Sequence, residues 1–442
     1  MHNPAISDSE LCGSCHMVRL PVLHRGKTLG HVYEQTTYSE WAFSEYRTGK
    51  TVNGTLPSGA GTQAQSCQDC HMSKTDARGN PYRSKIAAIQ EHTNFPQAEN
   101  TLGPKDIDLP ERIGFAGHEL VGLNIFLLKM AWQFSDILGI RRADPMMSDL
   151  GIDPLIASQQ AMLALADKRT AGISVGDVTT ANDTLSARVS VVNRVGHKFP
   201  SGVAFRRAFI EFQVLDDKNK VLWASGSTNG AGVIVDEKGM PIAGELWWKN
   251  DCSARIDPEA LIHQPHYQVV TRQDQAQIYE ELVSAPPDTP APTCGFRTPP
   301  AGQLTTSFLS QCSKVKDNRL LPRGFLGLEQ RVDISRALGA GTEMAEESGP
   351  AAVGDDPDYR TGGGDSLVYS VPLSEISGRP AAVQATIYYQ AAAPSYLQDR
   401  FCTSKSDDTK RLYYLAGKLS LAGTAAESWK LRVVTTGPIA VH

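Results

Sequence analysis

The sequence predicts an α+β chain, with an α-rich, loop-rich N-terminal part followed by an antiparallel β-sandwich-like part. Three observations carry this. Between positions 118 and 168 apolar residues recur at helical spacing, flanked by helix start and stop signals. After Gly172 apolar and polar residues alternate with period two. The stretch from 1 to about 110 shows neither pattern, yet it holds Cys12-Gly13-Ser14-Cys15-His16 and Cys67-Gln68-Asp69-Cys70-His71.

Taken in order, Tyr38 to Tyr46 reads as a short helix, with aromatics at 38, 41, 43 and 46 that suit either a cofactor wall or a small aromatic core. His118 to Leu138 reads as a helix apolar on most sides, set between Gly117 and Gly139. Asp153-Pro154 opens a third helix, Asp as cap and Pro at the first helical position, running to about Lys168. Strands follow at Leu185–Val191, Ala208–Val214 and Val221–Trp223, then at Ser366–Val371, Ala382–Gln390 and Lys430–Thr435. A stretch from about 236 to 360 is less regular. Several strands joined by polar turns argue for a β-sandwich.

The chain has 442 residues, 41% hydrophobic and 21% charged, which fits a globular protein of two or three domains. The net charge is −5, with no basic run or stripe, so nucleic acid is not an expected partner. No stretch reaches the roughly 18 apolar residues of a membrane span. The start Met1-His2-Asn3-Pro4 shows no signal-peptide core, so such a segment has been removed or the numbering begins inside a longer protein.

Each Cys-x-x-Cys-His segment carries the attachment signal of c-type haem. Two thiols two residues apart can both add to the vinyl groups of one porphyrin, and the next His offers its imidazole to the iron. A zinc site accounts for the four cysteines but not for the His after each pair. Cys12, Cys15, Cys67 and Cys70 are therefore the expected thioethers, and His16 and His71 the proximal iron ligands, of two haems c. Residues 1–172 read as a dihaem cytochrome c domain with helices, and 173–442 as the β-sandwich-like domain with an irregular insert at about 236–360. Four of the eight cysteines remain: Cys252, Cys294, Cys312 and Cys402. Haem c is attached outside the cytoplasm, where disulfides form, so two bridges are expected. Three pairings exist; closeness in the chain favours Cys294 with Cys312, leaving Cys252 with Cys402.

The chain resembles a family of bacterial multihaem c-type cytochromes with a C-terminal β domain. The resemblance rests on the two haem motifs and Glu34-Gln35-Thr36-Thr37-Tyr38. It also rests on Asn193-Arg194-Val195-Gly196-His197-Lys198-Phe199-Pro200-Ser201-Gly202, Arg206-Arg207-Ala208-Phe209, Gln277-Ile278-Tyr279-Glu280 and Val315-Lys316-Asp317-Asn318-Arg319-Leu320-Leu321-Pro322-Arg323-Gly324-Phe325. It implies a periplasmic or cell-surface electron-transfer protein, in a group whose members often carry further haems upstream.

The sixth iron ligand separates two functions. A second His leaves electron transfer; an open face permits peroxide or nitrogen-oxide chemistry. His118, at a helix start, His197, in a Gly/Pro-fixed turn, and His92 are the candidate distal ligands, with Met130, Met146 and Met147 as alternatives. The expected function is electron transfer as part of a larger multihaem relay or complex, an electron carrier rather than an enzyme. A peroxidase or nitrogen-oxide reductase and a structural subunit of a cytochrome assembly or filament are the competing readings. Other redox proteins or cytochrome subunits are the expected partners, with an oligomer or complex also in view and the location periplasmic or extracellular. Asp355-Asp356-Pro357-Asp358 and Gly362-Gly363-Gly364-Asp365 suit calcium or a solvated loop. His263-Gln264-Pro265-His266 resembles a short metal-binding pair.

Overall fold

The structure is a computed structural model that describes residues 4–51, 54–75, 79–84, 112–117, 120–140, 142, 153–167, 169–256 and 261–441. The two haem motifs form the short helices α1 (Ser9–His16) and α3 (Cys67–His71). Between them come a hairpin, β1 (Val18–His24) and β2 (Lys27–Gln35), and α2 (Thr37–Ala42). After them come α4 (Ile125–Gln133) and α5 (Pro154–Ala166).

The rest is dominated by strands: β3 (Ala171–Ala181), β4 (Thr184–Asn193), β5 (Arg207–Leu215), β6 (Val221–Ser225), β7 (Val269–Val270) and β8 (Ile278–Ser284). They continue as β9 (Ser313–Asp317), β10 (Gly364–Pro372), β11 (Ala382–Gln390) and β12 (Leu431–Thr435). One sheet runs β9-β8-β5-β11-β12, with β6 also on β5; the other runs β7-β10-β4-β3. Pairing is antiparallel except for β7 on β10, which is parallel.

The alternation read from the sequence faces the two sheets toward each other. Leu185, Ala187, Val189 and Val191 of β4, Leu367 and Tyr369 of β10, and Ile210 and Phe212 of β5 share one buried core. Phe212 stacks on Tyr369 across that core with ring centres 4.0 Å apart. Burying a large aromatic is worth roughly 2–3 kcal/mol from area alone, so Phe212 is one of the residues that lock the sheets together. The same core takes in Leu123, Ile125, Phe126 and Met130 from around α4. Apolar packing thus runs across position 172 without a break.

Several sequence expectations change. The N-terminal stretch is not wholly irregular, because β1 and β2 form a long hairpin around Arg25-Gly26, both at positive φ (48° and 76°). Such a two-residue turn needs that backbone, and Gly supplies it. The helix expected over 118–138 begins only after Asn124, whose side chain accepts from the Leu127 N–H; it breaks at Phe134 and closes on Gly139 at φ 65°. The helix expected to reach Tyr46 stops at Ala42, since the Ser44 hydroxyl donates to the Trp41 carbonyl and accepts from the Tyr46 N–H, competing with the helix ladder. The stretch over 236–360 contains β7, β8 and β9 together with α6 (Leu328–Ala337) and α7 (Thr342–Glu347). The Asp153 cap and Pro154 start of α5 are as the sequence indicates. No helix among the described residues is long and apolar enough to cross a membrane.

Two disulfides are present, Cys252–Cys402 and Cys294–Cys312, with sequence separations of 150 and 18. Cross-linking removes more freedom from the unfolded chain as the loop grows. The Cys252→Ser/Cys402→Ser pair is expected to cost about 5 kcal/mol and the Cys294→Ser/Cys312→Ser pair about 3 kcal/mol. Guanidinium unfolding reads both; midpoints unchanged from the wild type would contradict the assignment.

Candidate haem site

The two motif helices start from strong local signals. Asp8 caps α1 by accepting from the Glu10 N–H. Ser66 and Asp69 form a reciprocal capping box on α3. In each, the two cysteines lie three residues apart on one helical side, and the His closes the last turn. The helices abut. The Gln68 side chain donates to the Ile6 and Asp8 carbonyls at 3.0 and 2.8 Å, the Cys67 N–H donates to Ser9 Oγ at 3.1 Å, and the Cys12 and Cys67 thiols interact.

Cys12, Cys15, Cys67 and Cys70 are all free thiols. Burial pushes the Cys67 thiol up to about 12 and raises Cys12 and Cys70. Thiols held protonated are unlike the low-pKa thiolates of redox Cys-x-x-Cys sites. Nor do the four sulfurs converge into a ligand cluster among the described residues, as a zinc site requires.

The site gains its third histidine from the β part. The His71 and His197 rings are near-parallel, 14° apart in plane, with centres separated by 6.3 Å. Two metal–imidazole bonds of about 2 Å each, plus about 1 Å from each ring centre to its nitrogen, come to ~6 Å. His197 donates from Nδ1 to the Lys198 carbonyl at 2.8 Å, which leaves Nε2 free as a ligand atom. His71 bonds the Val121 backbone, and burial followed by the neighbouring His197 pushes its pKa down to about 4, so the ring is neutral, as a metal ligand must be. The Gln35 amide lies 2.9 Å from His16 Nδ1. Burial, with His197 and Arg206 nearby, also lowers the His16 pKa.

Aromatic residues press on the backbone of both ligand segments. A Cβ at Gly13 would sit 2.8 Å from the Tyr38 ring, and one at Gly196 would sit 3.1 Å from Tyr46 and 3.3 Å from Trp41. Tyr38, Trp41 and Phe43 belong to a buried cluster with Leu321 and Phe325. The aromatic-core reading of 38–46 therefore holds for these three.

What places His197 is a buried ionic cluster that the sequence reading did not single out. Asp317 accepts from Lys198 Nζ at 2.6 Å, from Lys314 Nζ at 3.0 Å and from Arg319 through two bonds of 2.8 Å. Arg319 also meets Glu281 at 2.9 Å and Glu40 at 3.6 Å. Glu40 accepts from the Lys198 N–H at 3.1 Å and from Ser201 Oγ at 2.7 Å. Burial alone would raise the Asp317 carboxyl; Arg319, Lys198 and Lys314 outweigh it and hold it well below the usual carboxylate range. Phe199 and Leu320 exchange two backbone bonds of 2.9 Å, and Asn193 donates to the His197 and Leu320 carbonyls. The signal for this cluster lay in the Gly-His-Lys-Phe-Pro-Ser-Gly and Lys-Asp-Asn-Arg segments, whose meeting no local pattern reveals.

His92 and His118 lie outside the described residues, as do Met146 and Met147. Met130 is buried in the main core. The two acidic segments considered for calcium do approach each other, through Asp356 and Asp365, with His266 between them and ligand atoms within 4.8 Å. The space is hydrogen-bonded: the Gln277 amide donates to Asp365 Oδ2 at 2.9 Å and lies 3.0 Å from His266 Nδ1, while His266 Nε2 lies 2.8 Å from Asp356. His263 turns to the Leu261 carbonyl at 2.6 Å and takes no part.

No family model matches the chain, and no curated protein matches it. Among solved structures, the penta-heme cytochrome c552 from Thermochromatium tepidum is similar over 99% of this chain, at 14% identity and a TM-score of 0.37. The chain spans 57% of that protein's length. A likeness of this size does not establish a shared fold.

The ionic cluster gives a direct test. Asp317→Ala would leave three buried cations without their shared carboxylate and is expected to destabilise by roughly 3–5 kcal/mol. Urea unfolding measures this, and a loss below about 1 kcal/mol would mean that the cluster is not what fixes the His197 turn.

Proposed function

We propose that this chain is a dihaem c-type cytochrome that transfers electrons outside the cytoplasm, working with other redox proteins or cytochrome subunits in a larger multihaem relay. The observation that carries the reading is the His71–His197 pair, two near-parallel rings set 6.3 Å apart beside a Cys-x-x-Cys-His helix. When bound, haem c supplies one-electron chemistry. The chain's own residues do the rest. Cys12 with Cys15, and Cys67 with Cys70, tether the two groups. His71 and His197 would hold one haem iron between them and leave it closed to exogenous ligands. His16 would hold the other iron, with the Gln35 amide 2.9 Å from its Nδ1. For the far face of that second iron we propose His118, with His92 as the alternative.

In this reading the strand-rich part is more than a docking platform, because it contributes an iron ligand through the 193–202 turn. Closed irons favour electron transfer over the peroxidase or nitrogen-oxide reductase reading. Assembly into a complex or filament is compatible with the same chemistry.

The mass of the denatured protein is expected to exceed the bare chain by two haems; a bare-chain mass ends the reading. His197→Ala is expected to open one iron without releasing its haem, because the thioethers remain. The ferric optical spectrum should become partly high-spin and the ferrous protein should bind carbon monoxide. A fully low-spin spectrum with no carbon monoxide binding would remove His197 from the site. Ready binding by the unmutated protein would favour the enzyme reading. His118→Ala, compared in the same way, tests the second iron.

A further inference from the structure

Beside His16 and the His197 turn lies a guanidinium with no counter-charge. Arg206, half-buried, makes no ion pair among the described residues, although buried cations near it in the chain or the ionic cluster do. Arg207 is paired with Glu245, Arg319 with Asp317 and Glu281, and Lys198 with Asp317. The Arg206 Nη1 donates to the Ser201 carbonyl at 3.2 Å, while its Nε is buried without any hydrogen-bond partner. The head group lies over Gly202, where a Cβ would come within 2.7 Å of Nη1 and 3.3 Å of Cζ. Gly202 also sits at φ 86°, so no other residue suits this position well. The backbone is thus shaped to let the side chain fold back over the turn that carries His197. The charge of Arg206 acts on His16, on Glu34 and on Tyr389.

A part-buried guanidinium with a free donor and no carboxylate costs stability unless an anion completes it. Glu34, on which the charge of Arg206 acts, does not serve as its ion-pair partner. It forms no ion pair with Arg206, its Oε1 is itself buried without a partner, and burial raises its pKa to about 7. An anion from outside the polypeptide would complete the site if it has a shape that a planar fork of N–H groups can grip, as a carboxylate does.

We propose that Arg206 binds a propionate carboxylate of the haem tethered by Cys12 and Cys15 and ligated by His16. This rests on the dihaem reading above and adds a residue to it. The contact orients that haem, and it couples its potential to the β part, because Arg206 belongs to the segment that enters β5. The guanidinium charge disfavours the ferric iron relative to the ferrous, and it neutralises a propionate that would otherwise favour ferric iron.

The test is a spectroelectrochemical titration of the full chain, with both haems verified by mass, for the wild type, Arg206→Lys and Arg206→Gln. Arg206→Gln is expected to lower the midpoint potential of one haem and leave the other unchanged, while Arg206→Lys shifts it much less. Unchanged potentials in both variants, or an equal shift of both haems, would overturn the proposal. Titrating the wild type with inorganic phosphate at constant ionic strength distinguishes a free anion: a potential that moves with phosphate overturns the proposal, and one that stays constant supports it. Should Arg206→Gln not fold, resonance Raman propionate-bending bands of the wild type decide, with two environments expected and a single uniform, solvent-like one overturning the assignment. A mass showing no haem on Cys12 and Cys15 would instead defeat the dihaem reading itself.

Discussion

The structure depends on one buried carboxylate. Asp317 is fully enclosed and takes charge-assisted bonds from Lys198, Lys314 and Arg319. A single buried ion is very costly, and the cost is recovered only when geometry and partner number are both good. Here three cations converge on Asp317, and Glu40 and Glu281 balance the excess positive charge. These groups come from α2, the 198 turn, β8 and β9, regions that are far apart in the chain. Register between them is set by charges that tolerate little displacement.

That constraint explains how a loop-rich N-terminal part becomes a rigid site. The segment around the motifs has little aliphatic core of its own. Its order comes from the Asp8 cap and the Ser66–Asp69 capping box, from the Tyr38, Trp41 and Phe43 cluster, and from the contact of Glu40 with the 198–201 turn. A turn anchored on one side by Asp317 and on the other by Asn193 can hold His197 at a fixed separation from His71. A histidine in a loop without those anchors would sample many rotamers, and ligation would then carry a larger entropic cost.

Burial also sets the chemistry of the ligands. His71 stays neutral because it is desolvated beside another imidazole, and burial raises the thiols of Cys12, Cys67 and Cys70. The same low-dielectric environment makes the lone guanidinium of Arg206 stand out, since its neighbours Arg207 and Arg319 are both matched by carboxylates.

The sequence by itself determined what local spacing encodes. Cys-x-x-Cys-His places two thiols and an imidazole within about one and a half helical turns, so its chemistry is legible without a fold. Period-two alternation located β4, β5, β10 and β11 nearly to the residue, because a strand with one buried face must alternate. Asp153-Pro154 marked a helix start through groups one to three residues apart. The hairpin of β1 and β2 was missed although its Arg25-Gly26 turn is local, because the strands are only partly buried and alternate weakly. Only the tertiary structure decided which histidine faces which motif, that Lys198 and Asp317 share a charge cluster, and that Asp356, Asp365 and His266 form a hydrogen-bonded network. Those outcomes depend on residues roughly 90 to 130 positions apart, and on the free energy of burying charges together, a quantity that no window of the sequence contains.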